Sequence, residues 1–255
     1  MKLTVIGANG AVPRAGGSSS GYVVKEGETR ILLDCGTGVF SQLQRVMGPL
    51  SLDAIFITHL HADHFLDLVP FRYALRYTIH GGPPEPLPLY VPPAGARGLA
   101  AFAASMGQPE EFFSDTFALR EYDPAVSLPV GGLRVAFQEL NHYVPSYGIT
   151  VAGDGLLAYT GDTKMCPKVV ELAAGADLFL CEATAQESTY ERSRPGHLSA
   201  KDAGRVATEA DVQRLLLTHI WFELDPMVSL EEARETFGGP IEVAEEGRTY
   251  EVAGG

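Results

Sequence analysis

The heptapeptide "THLHADH" (residues 58–64) packs three of the chain's seven histidines and an aspartate into one short segment. It follows "LDAIFI" (52–57), an apolar run of strand composition, so these side chains stand where a buried strand ends. Imidazoles crowded this closely repel one another when protonated, and their lone pairs suit a metal ion. Residues that alternate in a strand end or tight loop project to one side. His59 and His61 can therefore bind one ion while Asp63 and His64 face a second. The loop supplies at most two ligands to each ion. The remaining ligands must come from distant segments, which demands a fold that gathers several strand ends at one edge.

Three residues at the ends of further apolar runs meet that demand: His142 in "ELNHYVPSYG", Asp162 in "LLAYTGDT" and His219 in "RLLLTHIWF". Taken singly, each has a plainer reading. A histidine after an apolar strand is more often hydrogen-bonded or exposed than a ligand, and Asp162 would serve to cap a following helix. Their joint recurrence at strand ends favours the metal reading. His80, in "YTIHGG", is left as an ordinary loop histidine.

Strands are expected near 2–6, 21–25, 30–34, 53–58, 87–91, 133–139, 147–152, 156–160, 177–181, 213–218 and 248–252. Helices are expected over 38–47, 62–77, 96–105, 167–174, 200–210 and 229–237. Ser229 with Glu232 reads as a capping box opening the last helix, and Ser199 with Asp202 as a weaker version. This alternation predicts two packed sheets with helices outside, as one domain over residues 1–255. "GANGAVPRAGG" (7–17) follows a strand but lacks GxGxxG spacing and contains Pro13, so it is no dinucleotide fingerprint. It reads as a glycine-rich loop, with "GSSSG" (17–21) as a candidate lid or phosphate-contacting turn.

No apolar stretch approaches the roughly 18–20 residues that cross a bilayer, and the opening "MKLTVIGANG" lacks a signal peptide's layout. A cytoplasmic protein without membrane contact is expected. Cys35, Cys166 and Cys181 form no CxxC pair and read as buried thiols. The net charge of −13, without any run of lysine or arginine, disfavours a broad nucleic-acid footprint. It leaves a small phosphate ester open as substrate, because two cations in a cleft reverse the local sign.

In order and approximate spacing, "LLDCGTG" (32–38), "HLHADH" (59–64), His142, "YTGDT" (159–163) and "LTHI" (217–220) resemble the metallo-β-lactamase superfamily, over nearly the whole chain. The resemblance implies an α/β fold, an αβ/βα four-layer sandwich of two similar halves, with metals in a cleft at the edge of the sheets. It implies two divalent ions, with His59, His61 and His142 on the first, Asp63, His64 and His219 on the second, and Asp162 between them. Asp34 would brace the metal loop from behind. Zinc is the first expectation, although nitrogen and oxygen donors without thiolate also suit manganese or iron. The resemblance also implies a homodimer, since proteins of this fold often dimerise.

"PGHLSA", which contains His197, and "LCEAT" (180–184) resemble the ribonuclease Z branch, with Cys181 in place of that branch's histidine. By that likeness His197 is a catalytic imidazole oriented by Glu182, and Asp63 joins them at the reaction centre. The stretch between His142 and Asp162 is too short for the arm with which many ribonucleases Z grip transfer RNA. The leading expectation is a phosphodiesterase acting on small phosphodiesters or cyclic nucleotides through a metal-bridging hydroxide. Arg72, Arg76, Arg192 and Arg194 are candidates for phosphate contact. The alternatives are an armless ribonuclease Z, a lactone or carboxylic ester hydrolase, and a non-catalytic metal-binding protein.

Overall fold

A computed structural model describes residues 1–79, 85–189 and 196–252, with no side chain for Pro49. Within them lie two seven-stranded mixed sheets. The first holds β1 (Lys2–Gly7), β2 (Gly21–Glu26), β3 (Thr29–Leu33), β4 (Ala54–Phe56), β5 (Leu87–Val91) and β6 (Phe117–Glu121), in the order in which they occur. The second runs from β7 (Leu128–Val130) through β8 (Leu133–Leu140), β9 (Ser146–Ala152), β10 (Leu156–Tyr159), β11 (Leu178–Glu182) and β12 (Leu215–Thr218) to β13 (Ile241–Val243). The final strand, β14 (Thr249–Glu251), returns to pair with β1. Each sheet is built the same way. An antiparallel meander, β1–β3 or β7–β10, gives way to parallel neighbours, β3–β6 or β10–β13. The two similar halves of the expectation are present.

Alternation in the strands divides the core. Leu3, Val5, Tyr22, Ile31 and Phe56 of the first sheet face Val135, Phe137, Ile149, Leu157 and Leu180 of the second, closing the central layer. The opposite faces carry Ile6, Leu32 and Ile55 in one half and Ala158, Phe179 and Leu217 in the other, each covered by helices. Buried on both faces, β11 reads as the unbroken "LFLCE" rather than as an alternating strand.

On the first sheet the cover comes from α1 (Val39–Val46), α3 (Leu68–Arg76) and α4 (Gly95–Ser105). The expected helix 62–77 is in fact two: α2 (Ala62–Phe65) stops before α3 begins. Pro70 explains the break, since it has no N–H and is tolerated only in a first turn. On the second sheet lie α5 (Pro167–Ala173), α6 (Ala200–Glu209) and α7 (Pro226–Arg234). Two cap readings are corrected. Ser199 and Asp202 form the complete capping box of α6. Ser229 caps nothing; α7 starts three residues earlier, where Asp225 accepts from the Met227 N–H and Pro226 occupies the first turn. Ser229 is buried inside that helix and accepts from Gln186.

Strands β6, β7 and β13 were not expected. They are short sheet edges whose alternation is too brief to register. "GSSSG" is not a lid. Ser18, Ser19 and Ser20 are all buried, and the Ser18 and Ser19 hydroxyls donate to the carbonyls of Ile6 and Gly10. Cys35 and Cys181 are buried as expected, but Cys166 is only half-buried. Among the described residues no helix is long and apolar enough to cross a membrane.

Because its cap is reciprocal and buried, Ser199→Ala should lower stability by about 1 kcal/mol. Urea unfolding monitored by circular dichroism checks this as a drop in midpoint at unchanged slope.

Candidate metal centre

Every residue singled out as a ligand lies at one edge of the two sheets. His59 leaves β4, Asp63 and His64 ride on α2, His142 follows β8, Asp162 follows β10 and His219 follows β12. Two clusters result: His59, His61, His142 and Asp162, then Asp63, His64, Asp162 and His219, with candidate ligand atoms within 4.8 Å of one another in each. Asp162 belongs to both. Its Oδ2 lies 3.7 Å from His59 Nε2 and 3.8 Å from His142 Nε2, while its Oδ1 lies 3.2 Å from His64 Nε2 and 3.4 Å from His219 Nε2.

The hydrogen bonds behind the histidines set which nitrogen holds a proton. Asp34, fully buried, accepts from the Thr58 N–H (2.8 Å), the Thr58 hydroxyl (2.9 Å), the Tyr159 hydroxyl (2.8 Å) and His64 Nδ1 (2.7 Å). The one hydroxyl proton of Thr58 is thereby used, so His59 Nδ1, 3.0 Å away, must donate to that oxygen. Thr184 repeats the device: its hydroxyl donates to Glu182 (2.6 Å) and accepts from His219 Nδ1 (2.8 Å). His142 Nδ1 donates to the Gly196 carbonyl (2.7 Å). Four imidazoles thus have their Nδ1 protons drawn outward, so that in the neutral rings the inward Nε2 atoms are lone pairs.

Inward, these nitrogens meet other acceptors. His59 Nε2 and His142 Nε2 each sit 3.1 Å from His61 Nδ1, which has at most one proton to offer both. His64 Nε2 and Asp162 Oδ1 are buried without any hydrogen-bond partner. Lone pairs and carboxylates converging in a dry site call for positive charge, and the donor set fits divalent metal ions.

The titration of the side chains points the same way. Burial and the imidazoles around them lower His59 and His61, and burial lowers His142. Burial also opposes charge on His64 and His219, but Asp162 and the other nearby carboxylates override it and raise both. Burial likewise disfavours charge on Asp63 and Asp162, yet His64 and His219 hold both carboxyls below the usual range. A proton and a metal ion are alternative sources of the charge these carboxylates demand.

Beside the second cluster stands a third group. Glu182, fully buried, accepts from the Thr163 N–H (2.7 Å) and the Thr184 hydroxyl, and His197 Nδ1 lies 3.2 Å from both its oxygens. With its carboxylate so occupied, this is a hydrogen-bonded pair rather than a third ion site. Burial works against charge on His197, but Glu182 outweighs it and raises the imidazole to about 9.

Backbone strain marks the same edge. Asp34 (φ 58°) and His219 (φ 57°) are non-glycine residues in the left-handed region, and the His219 N–H donates to the Ala8 carbonyl of the other half. A side chain on Gly36 would put its Cβ 1.8 Å from the Asp63 carbonyl, so only glycine lets α2 dock there.

The alignment of this chain with a model of the beta-lactamase superfamily domain covers residues 29–220. The chain belongs to that superfamily. An uncharacterized protein of Mycobacterium leprae, ML1173, is 36% identical over 99% of this chain and 89% of its own length. A ribonuclease Z of Myxococcus xanthus is 30% identical, over 99% of this chain and 98% of its own length. That alignment runs over 306 positions against a chain of 255, so at least 51 positions (306 minus 255) of the ribonuclease have no counterpart. The crystal structure of the metallo-beta-lactamase fold protein YhfI from Bacillus subtilis superposes with a TM-score of 0.87 at 27% identity, covering 98% of this chain and 99% of that one. Human tRNase Z, short form, shares the fold with a TM-score of 0.76 at 21% identity, over 99% and 100% of the two chains. The protein is a metallo-hydrolase by family and by site.

Arg72 is not available to substrate. Buried on α3, it pairs with Asp115 (2.6 Å), donates to the Phe112 carbonyl and stacks on the Phe112 ring. Arg76, exposed one turn later, lies on the helical layer of the first half and adds to Thr116 and Arg72, which hold the Asp115 carboxyl below its usual range. Arg192, Arg194 and His80 lie outside the described residues. Thr58, Tyr159 and Thr184 lie within the quoted "THLHADH", "YTGDT" and "LCEAT", but sequence reasoning gave them no role, since nothing in a hydroxyl residue's identity says which proton it holds.

Elemental analysis of protein purified without chelator should find close to two transition-metal ions per chain. Asp162→Ala should lower that number. Asp34→Ala should weaken metal affinity roughly 10–100-fold by freeing the His64 ring, read by competition with a chromogenic chelator. One ion or none in well-folded parent protein overturns the two-site reading.

Proposed function

We propose that this metallo-hydrolase is a dinuclear zinc phosphodiesterase for small phosphodiesters, cyclic nucleotides among them. The observation that carries the reading is the Glu182–His197 pair set against the second metal cluster, with His197 at the wall of an open cavity. His59, His61, His142 and Asp162 would hold one divalent ion and Asp63, His64, His219 and Asp162 a second, which when bound would supply Lewis acidity toward phosphate oxygens and water. Glu182 holds His197 Nδ1, which leaves Nε2 for the cavity. Raised to about 9, the imidazole carries a proton at neutral pH and can pass it from Nε2 to the leaving oxygen. Thr163 and Thr184 hold Glu182 in the orientation this transfer requires. Ester or lactone hydrolysis would give such a pair no evident task.

The ribonuclease Z of Myxococcus xanthus favours a second reading, cleavage of precursor transfer RNA. Three observations weigh against it. At least 51 of that enzyme's positions are missing here. The residues between His142 and Asp162 are taken up by β9 and β10. A chain of net charge −13 must also lay many phosphates against an acidic surface, whereas a small diester sees chiefly the cations of the cleft.

His197→Ala should keep both metals and lose roughly 100-fold or more in turnover of a substrate with a poor leaving group, but much less with bis(4-nitrophenyl) phosphate. Loss of metal, or an equal loss on both substrates, reassigns His197. In a side-by-side assay at two ionic strengths, a cyclic nucleotide should be cleaved readily and with little salt dependence. Efficient processing of precursor transfer RNA with a steep salt dependence would favour ribonuclease Z instead.

A further inference from the structure

Tyr143 directly follows the ligand His142, and Trp221 comes two residues after His219, so segments that build the metal centre also carry these two aromatic rings. Both line a cavity of about 540 Å³ together with His197, Glu223 and Leu224. That volume is within the range of small-molecule sites. The Tyr143 ring sits 5.0 Å from that of His142 and 6.2 Å from that of His197. Gly196 packs so closely that a Cβ there would come 2.4 Å from the Tyr143 ring. Trp221 is held by its N–H to the Thr184 carbonyl (3.4 Å) and by the Leu224 N–H on its own carbonyl (3.0 Å). Its indole N–H donates to Glu223 (3.1 Å). The result is a cleft with two aromatic walls and a carboxylate at its rim.

His197 stands between this cleft and the metal-ligand clusters, with Nδ1 3.9 Å from Asp162 Oδ2 and its ring 5.6 Å from that of His219. When phosphorus is at the metals and the leaving oxygen at His197, the organic group beyond that oxygen enters the cleft. We propose that the cleft is a subsite for a planar, amino-bearing heteroaromatic ring, that is, a nucleobase, with Tyr143 and Trp221 as its stacking walls and Glu223 accepting from its amino group. The inference rests on the phosphodiesterase reading and names the substrate class within it. Aromatic faces select a flat ring over an alkyl chain. The Glu223 carboxylate favours an N–H donor and repels a second phosphate or carboxylate.

Trp221 is the single tryptophan of the chain, so its fluorescence reports the cleft directly. In the metal-loaded protein, adenosine 5′-monophosphate should quench it saturably, while ribose 5-phosphate should not. Tyr143→Ala, at the parent's metal content, should weaken that nucleotide about 10-fold. In turnover, 3′,5′-cyclic AMP should exceed the matching methyl riboside cyclic phosphate about 10-fold in kcat/KM. Through KM, that ratio should fall toward one in Tyr143→Ala and Trp221→Leu. Equal quenching by both ligands, no quenching by the nucleotide, or a preference that persists in both variants overturns the subsite. Saturable quenching with turnover of neither cyclic phosphate would sink the phosphodiesterase reading and leave the subsite standing.

Discussion

Much of the site turns on one carboxylate. Asp162 is buried, and each of its oxygens faces a different pair of imidazoles. An ionised group so placed is costly unless positive charge is brought to it, and His59 and His142 are tied so that neither has an inward proton to give. The protein therefore holds, in its folded state, an arrangement that cations complete. Folding energy from the rest of the molecule keeps these groups together.

The rigidity needed for that comes from hydroxyls used as one-proton relays. Thr58 and Thr184 each receive from a histidine and give to a buried carboxylate, Asp34 or Glu182. Each relay sets a tautomer and a ring orientation together. Glu182 joins the two groups of the edge, since it reaches the His219 imidazole through Thr184 and His197 directly. A disturbance there would reach the second metal cluster and the Glu182–His197 pair alike.

The sandwich separates structural from chemical duties. Its central layer is apolar and closes the two halves face to face, while the ligands hang from loops that only the ends of β4, β8, β10 and β12 bring together. Loops on a rigid scaffold can vary in reach without disturbing that layer. Residues 143–161 are one such connection, spent here on a strand pair.

What the sequence by itself determined was chemistry in local register. His59, His61, Asp63 and His64 declared a metal loop through their spacing, and His142, Asp162 and His219 could be joined to it because each closes an apolar run. The core strands and most helices were legible for the same reason, since burial imposes a period. Where burial was slight or the cause nonlocal, the reading failed: the short edges β6, β7 and β13, the break before Pro70, and the Asp225 cap were missed. Tertiary structure alone decided which groups meet. It turned Arg72 from a phosphate contact into the partner of Asp115, buried the serines of the supposed lid, and paired Thr58 with Asp34 and Thr184 with Glu182. A side chain's type limits what it can bind, but its protons and charge are assigned by neighbours that the fold brings from far along the chain.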